Sequence, residues 1–313
     1  MSARDTLETD TRVVDAADVP RETPETEQAE ESPRGEVLDD PVRRREESAE
    51  ARQRAEGNWE ERPFKVDREE LGKFDLRRAG LPDMSIESAA KYVEEHRASR
   101  PWLAMTDRAC PEATRIIAAM DAAGGHAHIR HEGSVTEEAN RRRVAYREDP
   151  AQLDPQKRAL SVDGLRPNDK RHRCADIATR ITDPDAFATA FTRGVEHPDV
   201  RKALDMVFNQ GAMPKAVWIP IADLLGSDGH DHCTGWRLKP VEGSMETAYK
   251  ERNAWVVDRA EGRKSDAHEP EAQPVSTFQG GVITFMFVGN ETERRYEIMT
   301  MCPDPPEDPR GES

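Results

Sequence analysis

The segment GGHAHIRHEG, residues 124–133, holds three of the chain's nine histidines, His126, His128 and His131, and the arginine run Arg141-Arg142-Arg143 follows it closely. Histidine is the side chain whose ordinary pKa lets it give and take protons near neutral pH. Arginine supplies a fixed positive charge whose planar fork fits a phosphate. In phosphodiester cleavage a base takes the proton of a 2′-hydroxyl and an acid protonates the leaving oxygen. A cation meanwhile stabilises the charge on the pentacovalent phosphorus. A proton shuttle beside an anion clamp is the equipment that reaction needs.

These residues must be held by neighbouring elements. The glycine pair 124–125 ends one helix, which starts at Pro111 and continues through Ala113–Ala122. Ser134-Val135-Thr136-Glu137 has capping-box spacing, so a second helix is expected from about Thr136 to Tyr146. Ser85 can cap an earlier helix to about Ala98. Asp183-Pro184 and His197-Pro198 each read as a cap with a first-turn proline, giving helices near 184–195 and 198–209. After Gly211 the periodicity changes. Ala216–Ile221 and Asn253–Asp258 are short apolar, β-branched runs. Gly281–Val288 and Arg295–Met301 flank Gly289-Asn290 as a hairpin. The polar stretch 149–172 reads as a loop, and most of 222–280 as a long insertion or mobile loop. Helices first and strands later give an α+β class, with N-terminal helices packed on a mainly antiparallel sheet.

Composition sets the boundaries. Of 313 residues, 35% are charged, 35% hydrophobic and only 5% aromatic, too polar for a chain folded end to end. No Phe, Trp or Tyr precedes Trp59, so residues 1–58 are expected to be a disordered acidic leader. Residues 59–84 read as a transitional linker with scattered anchors. Residues 85–303 read as a single domain with a candidate catalytic core at 120–303, and 304–313 as a disordered tail. No apolar run can span a bilayer, and no conventional secretory signal opens the chain. The four cysteines form no CxxC pair, which fits synthesis in a reducing cytoplasm. A net charge of −16 excludes a general nucleic-acid track. Residues 141–220, with 15 Lys and Arg against 11 Asp and Glu, suit one local anion site.

The pattern resembles the RNase A-like toxin domains found at the C-terminal ends of contact-dependent growth-inhibition proteins and related bacterial polymorphic toxins. The likeness rests on Gly124-Gly125-His126, on His131-Glu132-Gly133, and on Arg143-Val144. It continues in the acidic, Ala-rich Thr182–Ala188 and in Thr300-Met301-Cys302-Pro303, where the family closes on Thr-x-Tyr-Pro. The resemblance implies an RNase A-like fold and a metal-independent ribonuclease with no cofactor, cleaving RNA by 2′,3′-transphosphorylation. It assigns His131 as acid/base, Arg142 or Arg143 as the phosphate clamp and Thr300 as a hydroxyl donor. Cys302 stands where the family has Tyr, which removes one candidate hydroxyl. Implied partners are an RNA substrate, with tRNA a candidate, a cognate immunity protein, and secretion or delivery machinery acting through the N-terminal segment. The implied place of action is a target-cell cytoplasm reached by a specialised export system.

Plainer readings stand beside these. His131 before a glycine is also a common turn residue. His126 and His128 alternate as strand residues would, and they are secondary candidates together with Cys302, which otherwise reads as a buried strand residue. Thr300 alone is an ordinary strand former. A zinc hydrolase is a second hypothesis, with His126, His128 and His131 joined by His230-Asp231-His232-Cys233. A third is a non-enzymatic adaptor or degenerate toxin fold that binds partners through the acidic leader.

Overall fold

In the computed structural model, which describes residues 63–124, 127–130, 135–149, 176–209, 211 and 214–306, side chains that can accept first-turn amides set most helix starts. Asp67 caps α1 (Arg68–Lys73), and Ser85 accepts from the Ser88 amide at 3.1 Å to open α2 (Ile86–His96). Cys110 and Pro111 begin α3 (Pro111–Ala122), and a single turn, α4 (Ala127–Arg130), follows. Thr136, two residues past the expected cap at Ser134, accepts from the Ala139 amide at 3.1 Å and starts α5 (Glu137–Tyr146). Asp183 takes two amides at the start of α6 (Pro184–Glu196), and His197 caps α7 (Pro198–Leu204). Each such cap contributes about 1 kcal/mol. The second of these two helices stops at Leu204, short of the expected 209, and the remaining residues run as turn and extended chain.

The strands form two antiparallel three-stranded sheets rather than one. One has the order β1 (Ile177–Ile181), β3 (Cys233–Leu238), β4 (Ala272–Pro274). The other runs β2 (Val217–Pro220), β5 (Val282–Asn290), β6 (Arg295–Asp304). The edge strands β1 and β6 touch where the sheets meet. The expected final hairpin is present: Asn290 pairs with Arg295, and a bulge falls between Met286 and Phe287. The class is therefore α+β.

Three sequence expectations are corrected. Residues 222–280 are not mainly loop, because they supply α8 (Ile221–Leu225), β3, α9 (Met245–Ala260) and β4. Asn253–Asp258 is part of helix α9, which Ser244 caps and which buries Ala248, Arg252 and Val256 at four-residue spacing. That spacing outweighs the local β-propensity of Val256-Val257. Residues 63–84 are not a linker: Leu71, Phe74, Leu76 and Ala79 lie in the main core, so the folded unit begins upstream of 85. The expected leader 1–58, most of the loop 149–172 and the tail beyond 306 lie outside the described residues, whereas Asp304 ends β6.

The main core packs α3 and α6 against the β2–β5–β6 sheet through Ile116, Ile117, Phe187, Phe191, Ile283, Phe285 and Met301. Helix α6 comes this close because Gly194 faces Phe285, and a Cβ at that position would run into the ring. On the other sheet, Ala178, Trp236 and Leu238 pack under Val144 of α5 and Ala248 of α9. Among the described residues no helix is long and apolar enough to cross a membrane.

Candidate active site

Helix α4 lies against both α3 and β6. Residues 127–130 of the histidine-rich segment are thereby tied to β6. His131 and His126 lie outside the described residues; His131 directly follows the last residue of α4. His128 sits on α4, not on a strand, and is completely buried.

Its partner is Asp121, at 2.8 Å between His128 Nε2 and Asp121 Oδ1. The same carboxylate accepts from Trp102 Nε1 at 2.7 Å, Arg100 Nη1 at 2.5 Å and Tyr92 Oη at 2.9 Å. Burial alone would push the Asp121 carboxyl up. The hydrogen bonds from His128, Trp102 and Arg100 outweigh it and hold the group well below the usual carboxylate range. Because a carboxylate only accepts, His128 Nε2 carries the proton, and its Nδ1 is buried without a hydrogen-bond partner. His128 is therefore an anchor for α4, committed to a structural network.

Arg142 is also committed. Its guanidinium meets the buried carboxylate of Glu148 through two bonds of 2.7 and 2.6 Å, and it lies 5.2 Å from the centre of the Tyr146 ring. Arg259 of α9 approaches the same carboxylate at 3.2 Å and the same ring at 5.2 Å, and Tyr146 stacks on Trp255 at 4.9 Å. These contacts lock α5 to α9. Arg141 pairs with Glu138 at 2.7 Å. Arg143 is half-buried.

Thr300 pairs with Met286 across β5 and β6, and Cys302 pairs with Thr284. Thr284 in turn pairs with Trp218 of β2. Paired residues share a face, so Trp218, Thr284, Met286, Thr300 and Cys302 line the side of this sheet opposite Ile283, Phe285 and Met301. The Thr300 hydroxyl and the Trp218 indole nitrogen are both buried without a hydrogen-bond partner. Thr284 donates to Asp304 at the end of the neighbouring strand β6. Sequence reading found Thr300 and Cys302 but missed Trp218 and Thr284. The continuous apolar run 282–288 hides the alternation that would have separated the two faces.

No protein-family model, curated protein or solved structure matches this chain.

A third residue missed from sequence is Arg180 on β1. Its guanidinium donates to the Val135 carbonyl and to Thr234 Oγ1 at 3.2 Å, and lies 3.8 Å from Glu137. It fixes the start of α5 to the β1–β3 pair, just downstream of the histidine segment. Of the residues suggested as zinc ligands, His126 and His131 lie outside the described residues; among the described residues no group of His, Cys, Asp and Glu is arranged to hold a metal ion. His128 is held by Asp121, and burial pushes the Cys233 thiol up to about 12, so that sulfur remains protonated.

Proposed function

We propose that this chain is a metal-independent ribonuclease of toxin or effector type that cleaves RNA by 2′,3′-transphosphorylation. One observation carries the reading. Helix α4, which ends immediately before His131, packs against β6, the strand that bears Thr300. The two motifs that the resemblance pairs are distant in sequence, yet the fold brings their supporting elements into contact.

On this reading His131 takes and returns the proton, and Thr300 contributes a hydroxyl to the phosphoryl oxygens. The clamp is Arg142 or Arg143, and the Arg142 guanidinium already meets Glu148 and Tyr146. An RNA substrate, a cognate immunity protein and a delivery route through the N-terminal segment belong to the same proposal, as does action in a target-cell cytoplasm.

The test is cleavage of total RNA and bulk tRNA by the full chain in excess EDTA, beside His131→Ala, with circular dichroism on both proteins. Expected are products ending in a 2′,3′-cyclic phosphate and a loss of about 10²–10⁴-fold in the folded variant. Activity that appears only with added zinc, or no activity under either condition, overturns the proposal.

A further inference from the structure

Residues 131–134 separate α4 from Val135, and charged side chains hold the chain on both sides of that interval. Upstream, His128 of α4 meets the buried Asp121 carboxylate at 2.8 Å. Downstream, Val135 is 4% exposed. Its carbonyl lies outside the ladder of α5, which begins with the Asn140 amide on the Thr136 carbonyl at 3.0 Å. A buried carbonyl needs a donor from elsewhere, and here the donor is the Arg180 guanidinium.

The surroundings of Arg180 fix that guanidinium in place. The side chain is only 12% exposed. Its Nε donates to Thr234 Oγ1 of β3 at 3.2 Å, and Nη2 lies 3.8 Å from the Glu137 carboxylate in the first turn of α5. A planar fork can serve a carbonyl, a hydroxyl and a carboxylate together, which the single ammonium of lysine cannot. Arg180 stands on β1, and β1 touches β6, the strand of Thr300. One side chain thus ties the start of the helix that carries Arg142 and Arg143 to the strand that borders Thr300's.

We infer that Arg180 is a positioning residue for the cleavage, acting through the backbone at Val135 on the segment that bears His131. The inference rests on the ribonuclease reading. A misplacement of about 1 Å in a reacting group costs about 10²-fold in rate. Loss of this hold therefore acts on turnover rather than on substrate affinity.

The experiment compares the full chain with Arg180→Met, which keeps an apolar stem and loses the donors, and with Arg180→Lys, which keeps the charge and one donor. Hydrogen–deuterium exchange is read over residues 131–137 and over the main core. Initial rates on total RNA are taken in excess EDTA, at a temperature where circular dichroism shows each protein folded. Arg180→Met is expected to speed exchange over 131–137 by about tenfold or more relative to the core. It is expected to lower kcat by about 10–100-fold with KM within about twofold. Arg180→Lys is expected to recover about fivefold or more of that loss. If Arg180→Met does not fold, Arg180→Gln takes its place under the same expectations. A folded variant with wild-type kcat overturns the inference, and so does a lysine variant that recovers nothing. A loss accompanied by equally faster exchange in the core marks general destabilisation and overturns it too, as does a loss confined to KM. A wild-type chain that cleaves no RNA sinks the ribonuclease reading. Exchange over 131–137 then decides separately whether Arg180 holds the segment, and unchanged exchange overturns that hold as well.

Discussion

His128 Nε2 lies 2.8 Å from Asp121 Oδ1, and neither side chain is more than 2% exposed. The pair joins the end of α3 to α4, so the position of α4 depends on a buried carboxylate. That carboxylate is nearly saturated by Trp102, Arg100, Tyr92 and His128.

Asp121→Asn is expected to lower stability at pH 7 by about 2–4 kcal/mol, since an amide cannot satisfy the same donors and leaves His128 or Trp102 facing an N–H. The pH dependence follows from the depressed carboxyl. Its contribution is complete above the ordinary aspartate pKa of about 3.9 and is lost as pH falls from there toward the folded-state value. Urea unfolding of both proteins between pH 7 and 2.5 should therefore show curves that converge below about pH 4. Parallel acid limbs would show that the network does not carry acid stability.

Asp223 gives the opposite sign. Burial pushes its carboxyl up to about 6, and Oδ1 is buried without a hydrogen-bond partner. A raised acid pKa means the ionised form is penalised in the fold, so the penalty is full above pH 6 and disappears below about 4. Asp223→Asn is expected to raise stability at pH 7.5 by about 2 kcal/mol and to change nothing at pH 4. Chemical denaturation midpoints at the two pH values measure this, and a gain of equal size at both would contradict it.

Much of the scaffold could be read from local rules, and most of the wiring could not. Ser85, Asp183 and the first-turn prolines marked helix starts because a cap is a contact between near neighbours in sequence. The final hairpin was legible from its two apolar runs. Helix α9 was misread because Trp255-Val256-Val257 is a good strand by propensity. What makes it helical is burial of Ala248, Arg252 and Val256 against elements far away in sequence. Strand β3, Cys-Thr-Gly-Trp-Arg-Leu, is too polar to stand out, and it becomes central only because β1 and β4 flank it. Arg142 illustrates the same limit at the site. A run of three arginines reads as an anion clamp, and only the fold reveals Glu148 and Arg259 around its middle member.

Arg142→Ala is accordingly expected to act on stability rather than chemistry. It removes the bidentate partner of a buried carboxylate, at a cost of about 2–4 kcal/mol after the remaining help from Arg259. If the chain cleaves RNA as proposed, cleavage per folded molecule should stay within about twofold. Melting curves beside initial rates separate stability from chemistry, and a loss of about 10²-fold in kcat in a folded variant would make Arg142 the clamp.

Gly194→Ala should be among the most damaging small substitutions, because the added methyl meets the Phe285 ring in the main core. A loss of about 1–3 kcal/mol is expected. The clash is with one side chain, so it should be relieved in part by Phe285→Leu. In that background the cost of Gly194→Ala should fall by about 1 kcal/mol or more, the coupling expected of residues in contact. Additive losses would locate the strain in the α6 backbone.

Thr300→Val separates a structural from a chemical role at the final strand. The Thr300 hydroxyl is buried without a hydrogen-bond partner, so replacing it with a methyl of similar shape removes an unsatisfied group and should leave stability unchanged or slightly higher. Valine also suits a strand at least as well as threonine. If the hydroxyl meets a phosphoryl oxygen during cleavage, the same change removes a transition-state contact and should lower kcat by about 10–100-fold with KM nearly constant. A variant as stable and as active as the wild type would remove Thr300 from the site. A stable variant with impaired kcat has no structural explanation, and it would tie the strand's unpartnered hydroxyl to the chemistry.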